Sequence, residues 1–165
     1  MGESGSVWGR GVRVFIGEYE HSLDGKNRLN VPAKFREIVD ANRESKTLYV
    51  TRGLDTCLFL YTKTQWEAVA RSLKDMSFTG AAARQFKRIF FANAREVELD
   101  EQGRILIPES LKADARITRS VTVVGVDDRI EIWDRELWKA MKSAPEGEYE
   151  ELAEKLFGKE GDSNG

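Results

Sequence analysis

One short pattern occurs twice in this chain, and this duplication constrains the fold more than any other feature of the sequence. Residues 23–32 return as residues 99–108, with four residues repeated at a constant offset of 76: Leu23, Asp24, Arg28 and Pro32 match Leu99, Asp100, Arg104 and Pro108. Further matches at an offset of 72 comprise residues 53–55 with 125–127, Tyr61 with Trp133, and Trp66 with Trp138. A period of this size indicates one supersecondary unit used twice, with four extra residues in the first copy between Pro32 and Gly53.

Each unit is predicted to begin with a hairpin. Strands over residues 17–23 and 28–31 flank Asp24–Asn27, which suits a tight turn because aspartate favours the first turn position and asparagine tolerates the left-handed conformation. Glycine, which adopts positive φ most easily, stands at the matching position 103 in the second unit. Because Asn27 and Gly103 can both adopt positive φ, the two sequences indicate that the turn itself is repeated.

A short helix and a second hairpin complete each unit. Pro32 and Pro108 predict the helix starts, because proline suits the first helical turn. The predicted helices cover residues 33–43 and 109–115, and the predicted strand pairs cover 47–51 with 56–61 and 120–124 with 129–133. Each repeated unit thus consists of a hairpin, a short helix and a second hairpin.

Further helices are expected over residues 63–75, 80–92, 134–142 and 148–157, with disorder over residues 158–165. In helix 80–92 we expect Phe86, Ile89 and Phe90 to face inward and Arg84, Lys87 and Arg88 to face outward.

The composition is typical of a soluble globular protein, with 41% hydrophobic and 33% charged residues among 165. No segment approaches the roughly 18 apolar residues of a membrane span, and residues 1–13 lack the apolar core of a signal peptide. The single cysteine, Cys57, excludes an internal disulfide framework and suggests a reducing compartment. We therefore expect a cytoplasmic protein with no membrane partner.

Charge is unevenly distributed along the chain. Residues 144–165 carry seven acids and two bases, a net charge of −5, so a chain of net charge −2 leaves +3 on the remaining residues. A mildly basic body with an acidic tail is compatible with a nucleic-acid partner and equally with an ordinary solvated surface.

The sequence contains no recognisable catalytic motif. It has neither a G-x-x-x-x-G-K-[ST] phosphate loop nor a G-x-S-x-G nucleophile turn, and Cys57 lies within an apolar strand where we expect it to be buried. His21 has no second imidazole as a potential metal co-ligand. Asp24 and Asp100 could form a catalytic pair, but an arginine four residues after each favours an ion pair. We expect no enzymatic activity, catalytic residue, metal, cofactor or small-molecule substrate.

The repeated turns are the best candidates for a binding site. Lys26 and Arg28 would project from the first turn, and arginine can pair bidentately with a phosphate or with the major-groove edge of guanine. The second turn offers Gln102 and Arg104, a less charged pair. The alternative is that each arginine pairs with the aspartate of its own turn and closes the hairpin. Both roles can hold together, because a carboxylate can orient an arginine for recognition.

Several separated motifs, in order, resemble those of MraZ proteins over about residues 15–138. The motifs are Phe15–Asp24, Arg28–Leu29, Pro32–Arg36, Arg88–Ala92, Glu96–Asp100, Gly103–Pro108 and Arg129–Trp133. MraZ proteins carry two AbrB-like (SpoVT-AbrB) domains, each with a D-x-x-x-R signature.

This resemblance implies an α+β fold in which two AbrB-like repeats form a swapped-hairpin β-barrel with peripheral helices. The implied organisation is a flexible N-terminal extension (1–14), a first SpoVT-AbrB repeat (18–61), linking helices (62–93), a second repeat (94–137), and a C-terminal helix with an acidic tail (138–165).

The resemblance also implies a function. MraZ proteins are bacterial transcription regulators that bind direct repeats in double-stranded DNA upstream of their own operon of cell-division and cell-wall genes. The expected protein is thus a nucleoid-associated homo-oligomer, arranged as a ring. The basic residues implicated in DNA contact map to Lys26, Arg28 and Arg104. The chain departs from the family pattern at Asn27, where a glycine is usual, and at Glu101 and Gln102, which weaken the charge of the second turn.

A second hypothesis belongs to a different class of function. The amphipathic, acidic C-terminal segment is also compatible with an oligomeric protein-interaction module that has no direct role on DNA.

Overall fold

The computed structural model describes the backbone of residues 14–162 and the side chains through residue 158. The extension expected over residues 1–14 lies outside the described residues, except for Val14. The chain divides into two compact units on either side of the peptide bond between Arg135 and Glu136.

The first unit contains eight strands and four helices among its described residues. The strands are β1 (Phe15–Ser22), β2 (Arg28–Asn30), β3 (Thr47–Arg52), β4 (Leu58–Tyr61), β5 (Arg95–Glu98), β6 (Arg104–Leu106), β7 (Ser120–Asp127) and β8 (Ile130–Asp134). The helices are α1 (Ala33–Ala41), α2 (Lys63–Lys74), α3 (Ala81–Ala92) and α4 (Glu109–Asp114). The second unit contains α5 (Arg135–Lys142), which begins at the boundary, and α6 (Glu148–Asp162).

The two repeats exchange strands. The larger sheet has the order β1-β7-β8-β4-β3-β5, so the first strand of each repeat pairs with the third strand of the other. A separate two-stranded sheet pairs β2 with β6, again across the repeats. All of these pairs are antiparallel. The fold is therefore α+β and interlocked. Because β1 and β5 end the larger sheet, the closed barrel that the resemblance implies is not confirmed.

The expectation that β1 and β2 form a hairpin is wrong in its strand partners. The turn itself forms, since the Asn27 amide donates to the Asp24 carbonyl at 3.0 Å. Beyond the turn the strands separate, and β1 pairs with β7 while β2 pairs with β6. Local turn chemistry determines where the chain reverses, but the burial of apolar side chains across both repeats determines which strands pair.

A pseudo-two-fold axis relates the repeats. In the β2–β6 pair, Leu29 lies opposite Ile105, which is its own equivalent at an offset of 76. Arg28 lies opposite Leu106, and Arg104 lies opposite Asn30, so the two arginines take equivalent places on either side of the axis. This strand pair brings the two repeated turns into one short ribbon.

The sheet register corrects one detail of the repeat alignment. Val50 pairs with Leu60 in the first repeat, and Val123 pairs with Ile132 in the second. Strands β4 and β8 keep the offset of 72, whereas β3 and β7 are related by 73. Gly53 is thus equivalent to Val126 and not to Gly125. One of the four extra residues of the first copy therefore lies in the β3–β4 loop.

A single core joins the repeats. Its most buried side chains include equivalent residues of both copies, each 2% exposed or less: Leu29, Val31 and Phe35 from the first, and Ile105, Ile107 and Leu111 from the second. Neither repeat could bury these apolar surfaces alone, because its first strand belongs to the sheet of the other. The interlocked pairing makes the two repeats one folding unit.

The exterior differs from the sequence-based expectation at two places. Phe90 of α3 is buried, but Phe86 and Ile89 are more than a third exposed, so the prediction that all three face inward is wrong for two of them. The ring of Phe90 stacks on Trp66 of α2 at 5.5 Å, and its carbonyl accepts a hydrogen bond from the Thr51 hydroxyl of β3 at 2.7 Å. The disorder expected from residue 158 is also wrong in part, because α6 continues to Asp162.

Gly125 tests the strand exchange. A Cβ at this position would lie 2.4 Å from the Ile16 backbone nitrogen, since Gly125 faces Gly17 across the β1–β7 pair. We expect Gly125→Ala to lower the free energy of unfolding by about 1–3 kcal/mol, because strand β1 must move. Urea denaturation measures this loss. Gly158→Ala is the matched control, because the space around that glycine is open; equal midpoints for the two variants would contradict the close β1–β7 approach.

Candidate nucleic-acid interface

One carboxylate organises the first repeated turn. Asp24 Oδ1 accepts hydrogen bonds from the backbone amides of Lys26 and Arg28, both at 2.9 Å. Its other oxygen, Oδ2, accepts from Arg28 Nε at 2.7 Å. The aspartate of the D-x-x-x-R pattern therefore fixes both the backbone of the turn and the direction of the arginine side chain.

The second turn repeats this geometry. Asp100 Oδ1 accepts from the amides of Gln102 and Arg104 at 2.9 and 2.8 Å, and Oδ2 accepts from Arg104 Nε at 2.9 Å. The residue before each arginine has positive φ, 60° at Asn27 and 76° at Gly103. Asn27 therefore adopts the same left-handed conformation as Gly103, and the turn is repeated in the backbone.

The hydrogen bonds lower the pKa of both aspartates. The pKa of Asp24 falls to about 2, chiefly because the Arg28 backbone amide bonds to the charged form, with further contributions from the Lys26 amide and the Arg28 side chain. The pKa of Asp100 is lowered by the equivalent contacts, led by the Arg104 amide. Both turns therefore carry an ionised carboxylate at neutral pH, which leaves neither group available as a general acid.

The two turns lie close together. Arg104 Nη1 is 3.9 Å from Asp24 Oδ2, so this arginine reaches the carboxylates of both repeats. The arginines keep access to solvent, with 33% of the Arg28 side chain and 23% of the Arg104 side chain exposed. Among the described residues, Nε is the one nitrogen of the Arg28 guanidinium in a hydrogen bond. The ion-pair interpretation of the sequence therefore holds for both arginines, and a third of the Arg28 side chain stays exposed.

The turns differ in charge. The first combines Asp24 with Lys26 and Arg28, a net charge of +1, and the Lys26 side chain is exposed. The second combines Asp100 and Glu101 with one cation, Arg104, a net charge of −1. The first turn is thus the stronger attractor of a polyanion.

Each turn is braced by the helix of the other repeat. Lys112 on α4 donates from Nζ to Asn27 Oδ1 at 3.0 Å, and the Asn27 side-chain amide donates to Glu109 of the same helix. On the other side, the Arg36 side chain from α1 covers Gly103, where a Cβ would lie 2.6 Å from Arg36 Cδ. Sequence reasoning missed these braces, although Arg36 and Lys112 are separated by the same offset of 76 as the turns.

The basic stripe on α3 has a local role. Arg84 donates from Nη1 to the carbonyls of Phe78 and Thr79, at 2.9 and 2.8 Å. Lys87 donates to the carbonyl of Met76 at 3.3 Å. Two of the three cations therefore hold the loop that precedes the helix.

Burial shifts the pKa of the single cysteine and of the single histidine. Cys57 is buried, as expected, and desolvation raises its pKa to about 12, so the thiol remains neutral. Burial also lowers the pKa of His21, which lies in β1. Within the part of the chain that the structure describes, no group of three His, Cys, Asp or Glu side chains is arranged to hold a metal ion. No helix in this part is long and apolar enough to cross a membrane.

The Asp24 carboxyl provides a pH test of the turn. Its pKa is about 2 in the folded chain and about 3.9 in an unfolded chain, so its stabilising contribution is complete above pH 4 and is lost as the pH falls through 2. We expect the carboxyl carbon of Asp24 to titrate with a midpoint near 2 in an NMR experiment. The amide signals of Lys26 and Arg28 should shift with the same midpoint, whereas a midpoint near 4 would show that the carboxylate does not hold the turn.

Two consecutive segments of the chain match one known family. Residues 14–89 and 90–159 each match the family model described as "MraZ protein, putative antitoxin-like". The first segment contains the Asp24–Arg28 turn and the second contains the Asp100–Arg104 turn, so the family's repeat coincides with the duplication seen in the fold. Because the two matches together cover most of its length, the chain belongs to the MraZ family.

Proposed function

We propose that this protein is a sequence-specific, double-stranded DNA-binding transcriptional regulator acting at the promoter of its own cell-division and cell-wall operon. The observation that carries the proposal is the pair of aspartate-braced arginine turns on one ribbon, β2–β6. Membership of MraZ, a regulator-type family and not an enzyme family, supports it. The protein would act in the cytoplasm, at the nucleoid.

The geometry supports distinct roles for the three candidate residues. A two-stranded ribbon fits the major groove, where arginine can donate a pair of hydrogen bonds to guanine. Arg28 can use its two terminal nitrogens in this way while Nε stays bound to Asp24. The exposed Lys26 is suited to a phosphate, which positions the ribbon without reading sequence. Arg104 interacts with the carboxylates of both Asp24 and Asp100, so it would make the weaker contact with DNA.

The modest charge of one chain favours a multivalent complex. Two adjacent turns with net charges of +1 and −1 attract a polyanion only weakly. A homo-oligomeric ring would present several equivalent turns to direct repeats in DNA, and each additional turn would bind at a high effective concentration. The spacing of the DNA repeats would then have to match the spacing of the subunits.

Substitutions in the first turn test the assigned contacts. We expect Arg28→Ala to weaken binding to the duplex upstream of the protein's own gene by roughly tenfold or more, because a base contact is lost. Lys26→Gln should weaken binding to all duplexes and reduce the slope of log affinity against log salt by about 1, because one phosphate contact is lost. Fluorescence anisotropy over a range of salt concentrations measures both effects.

Lys74→Gln is the matched control, since it removes one exposed lysine at the end of α2, away from the turns. Circular dichroism checks that the folded structure is kept. If Arg28→Ala and Lys26→Gln bind the duplex as tightly as the Lys74→Gln control does, the turns are not the DNA contact.

An oligomeric protein-interaction module is the second candidate function. The exposed apolar side chains of α6 favour it, among them Tyr149, Leu156 and Phe157. This candidate predicts no preference for the upstream duplex over an unrelated one at any salt concentration.

A further inference from the structure

Two basic residues outside the repeated turns occupy equivalent positions in the fold. Strands β3 and β7 are related by an offset of 73, so Lys46, which precedes β3, is equivalent to Arg119, which precedes β7. Their backbone contacts are equivalent too, because the Lys46 carbonyl accepts a hydrogen bond from the Leu99 amide and the Arg119 carbonyl accepts one from the Leu23 amide, both at 2.9 Å. Each basic residue therefore lies beside the leucine that immediately precedes the aspartate of a turn.

The exchange of strands gives each turn a cation from the other repeat. Arg119 of the second repeat lies beside the first turn, and Lys46 of the first repeat lies beside the second turn. When these cations are included, the net charge changes from +1 to +2 at the first turn and from −1 to 0 at the second. The second turn thus loses the net negative charge that would repel a polyanion.

Both side chains belong to the face of the larger sheet that packs against the core. Alternate residues of a strand share one face, so Arg119 shares the face of Val121, which is buried in the core. Lys46 shares the face of Leu48, which is buried in the same core. The β2–β6 ribbon also packs into this core, so the two cations lie on the same side of the sheet as the ribbon and its turns.

Arg119 shares a surface cleft with the first turn. The cleft has a volume of about 310 Å³, and its lining includes Asp24, Gly25 and Asn27 of the turn together with Lys112 and Arg119. Lys112 is bound to the Asn27 side chain, whereas Arg119 is exposed and makes no ion pair or side-chain hydrogen bond within the part of the chain that the structure describes. Its guanidinium can therefore bind an anion that meets the turn.

Lys46 has the same freedom at the second turn. Its side chain is exposed and, among the described residues, makes no ion pair or hydrogen bond. Arg36, another cation beside this turn, instead covers Gly103 and donates from Nε to the Val31 carbonyl at 3.0 Å. Each turn thus has one cation that braces it and one that remains available to a ligand.

We propose that Arg119 and Lys46 bind backbone phosphates of the duplex on the two sides of the β2–β6 ribbon. The inference rests on the proposed function and assigns it two further contact residues. A ribbon in the major groove lies between two sugar-phosphate backbones, so cations beside its turns can reach a phosphate on either side. Such contacts fix the position of the ribbon and carry no sequence information. Arg119 makes the stronger contact, because arginine can bind a phosphate with two N–H groups.

The salt dependence of binding tests these contacts. We expect Arg119→Gln and Lys46→Gln each to reduce the slope of log affinity against log salt by about 1, for the upstream duplex and for an unrelated duplex alike. Between about 50 and 200 mM salt, each variant should then lose about three- to fourfold less affinity than the parent loses. The ratio of the affinities for the two duplexes should stay unchanged, because neither residue reads a base. Fluorescence anisotropy measures these affinities.

A matched pair of substitutions controls for the loss of charge. Arg119→Gln combined with Lys46→Gln should reduce the slope by about 2, because each residue binds a separate phosphate. Arg71→Gln combined with Lys74→Gln removes one exposed arginine and one exposed lysine from the end of α2, and this control should keep the parent's slope. Circular dichroism checks that both double variants are folded. The inference is wrong if the two double variants have the same slope.

Uncharged phosphates identify the atoms that are contacted. The upstream duplex is prepared in versions that each carry one methylphosphonate in place of a phosphate. At the phosphate bound by Arg119, we expect the substitution to weaken binding of the parent severalfold and to have no further effect on Arg119→Gln. A variant that acted only by disturbing the turn would stay sensitive to every phosphate that the parent uses, and this result would overturn the assignment.

The outcomes separate this inference from the assignment of the turns. If binding depends on Lys26 but not on Arg119 or Lys46, the inference alone is wrong. If binding depends on Arg119 and Lys46 but not on Lys26 or Arg28, the flanking contacts are supported and the assignment of the turns is wrong. A parent protein that binds neither duplex contradicts both.

Discussion

The exchange of strands between the repeats is the constraint on which the rest of the structure depends. The β2–β6 pair centres on Leu29 and Ile105, two equivalent residues that are almost fully buried in the shared core. This pair is antiparallel and symmetric, so one turn lies at each of its ends. The two turns are therefore under the same backbone constraints. The pairing also brings Arg104 within reach of the Asp24 carboxylate. In a chain with two independent repeats, no shared strand pair would bring Arg104 within 3.9 Å of Asp24.

The D-x-x-x-R turn closes the hairpin reversal and carries the arginine of the proposed DNA contact. Asp24 bonds to two backbone amides and to one edge of Arg28, so a single carboxylate closes the turn and orients the guanidinium. The same ion pair neutralises part of the positive charge that a nucleic acid would meet. In the proposed function, affinity for DNA would then come from the exposed Lys26, from the remaining nitrogens of Arg28, and from repetition of the turn in an oligomer. The proposed function accordingly depends on several turns binding together.

Local features of the sequence were sufficient to locate the turns but not the strand partners. The aspartates, and a residue able to adopt positive φ at positions 27 and 103, act within five residues, so they can be identified without the fold. Alternation along β1 or β2 gives no information on the partner strand, because the same side chains would alternate beside any neighbour.

The one-residue difference in offset between β3 and β7 was missed for a related reason. The glycines at 53 and 125 match by residue type, while the strand register makes Gly53 equivalent to Val126. Helical periodicity identified α3, but it could not show that the sheet covers Phe90 and leaves Phe86 exposed.

Acetylation of surface lysines, followed by mass spectrometry, shows whether the first turn contacts DNA, and it works on an assembly of any size. The measurement compares the modification rates of Lys26 and Lys74 with and without the duplex upstream of the protein's own gene. We expect the duplex to lower the modification rate of Lys26 severalfold and to leave that of Lys74 unchanged. Equal modification of Lys26 in the free protein and in the DNA complex would contradict this expectation.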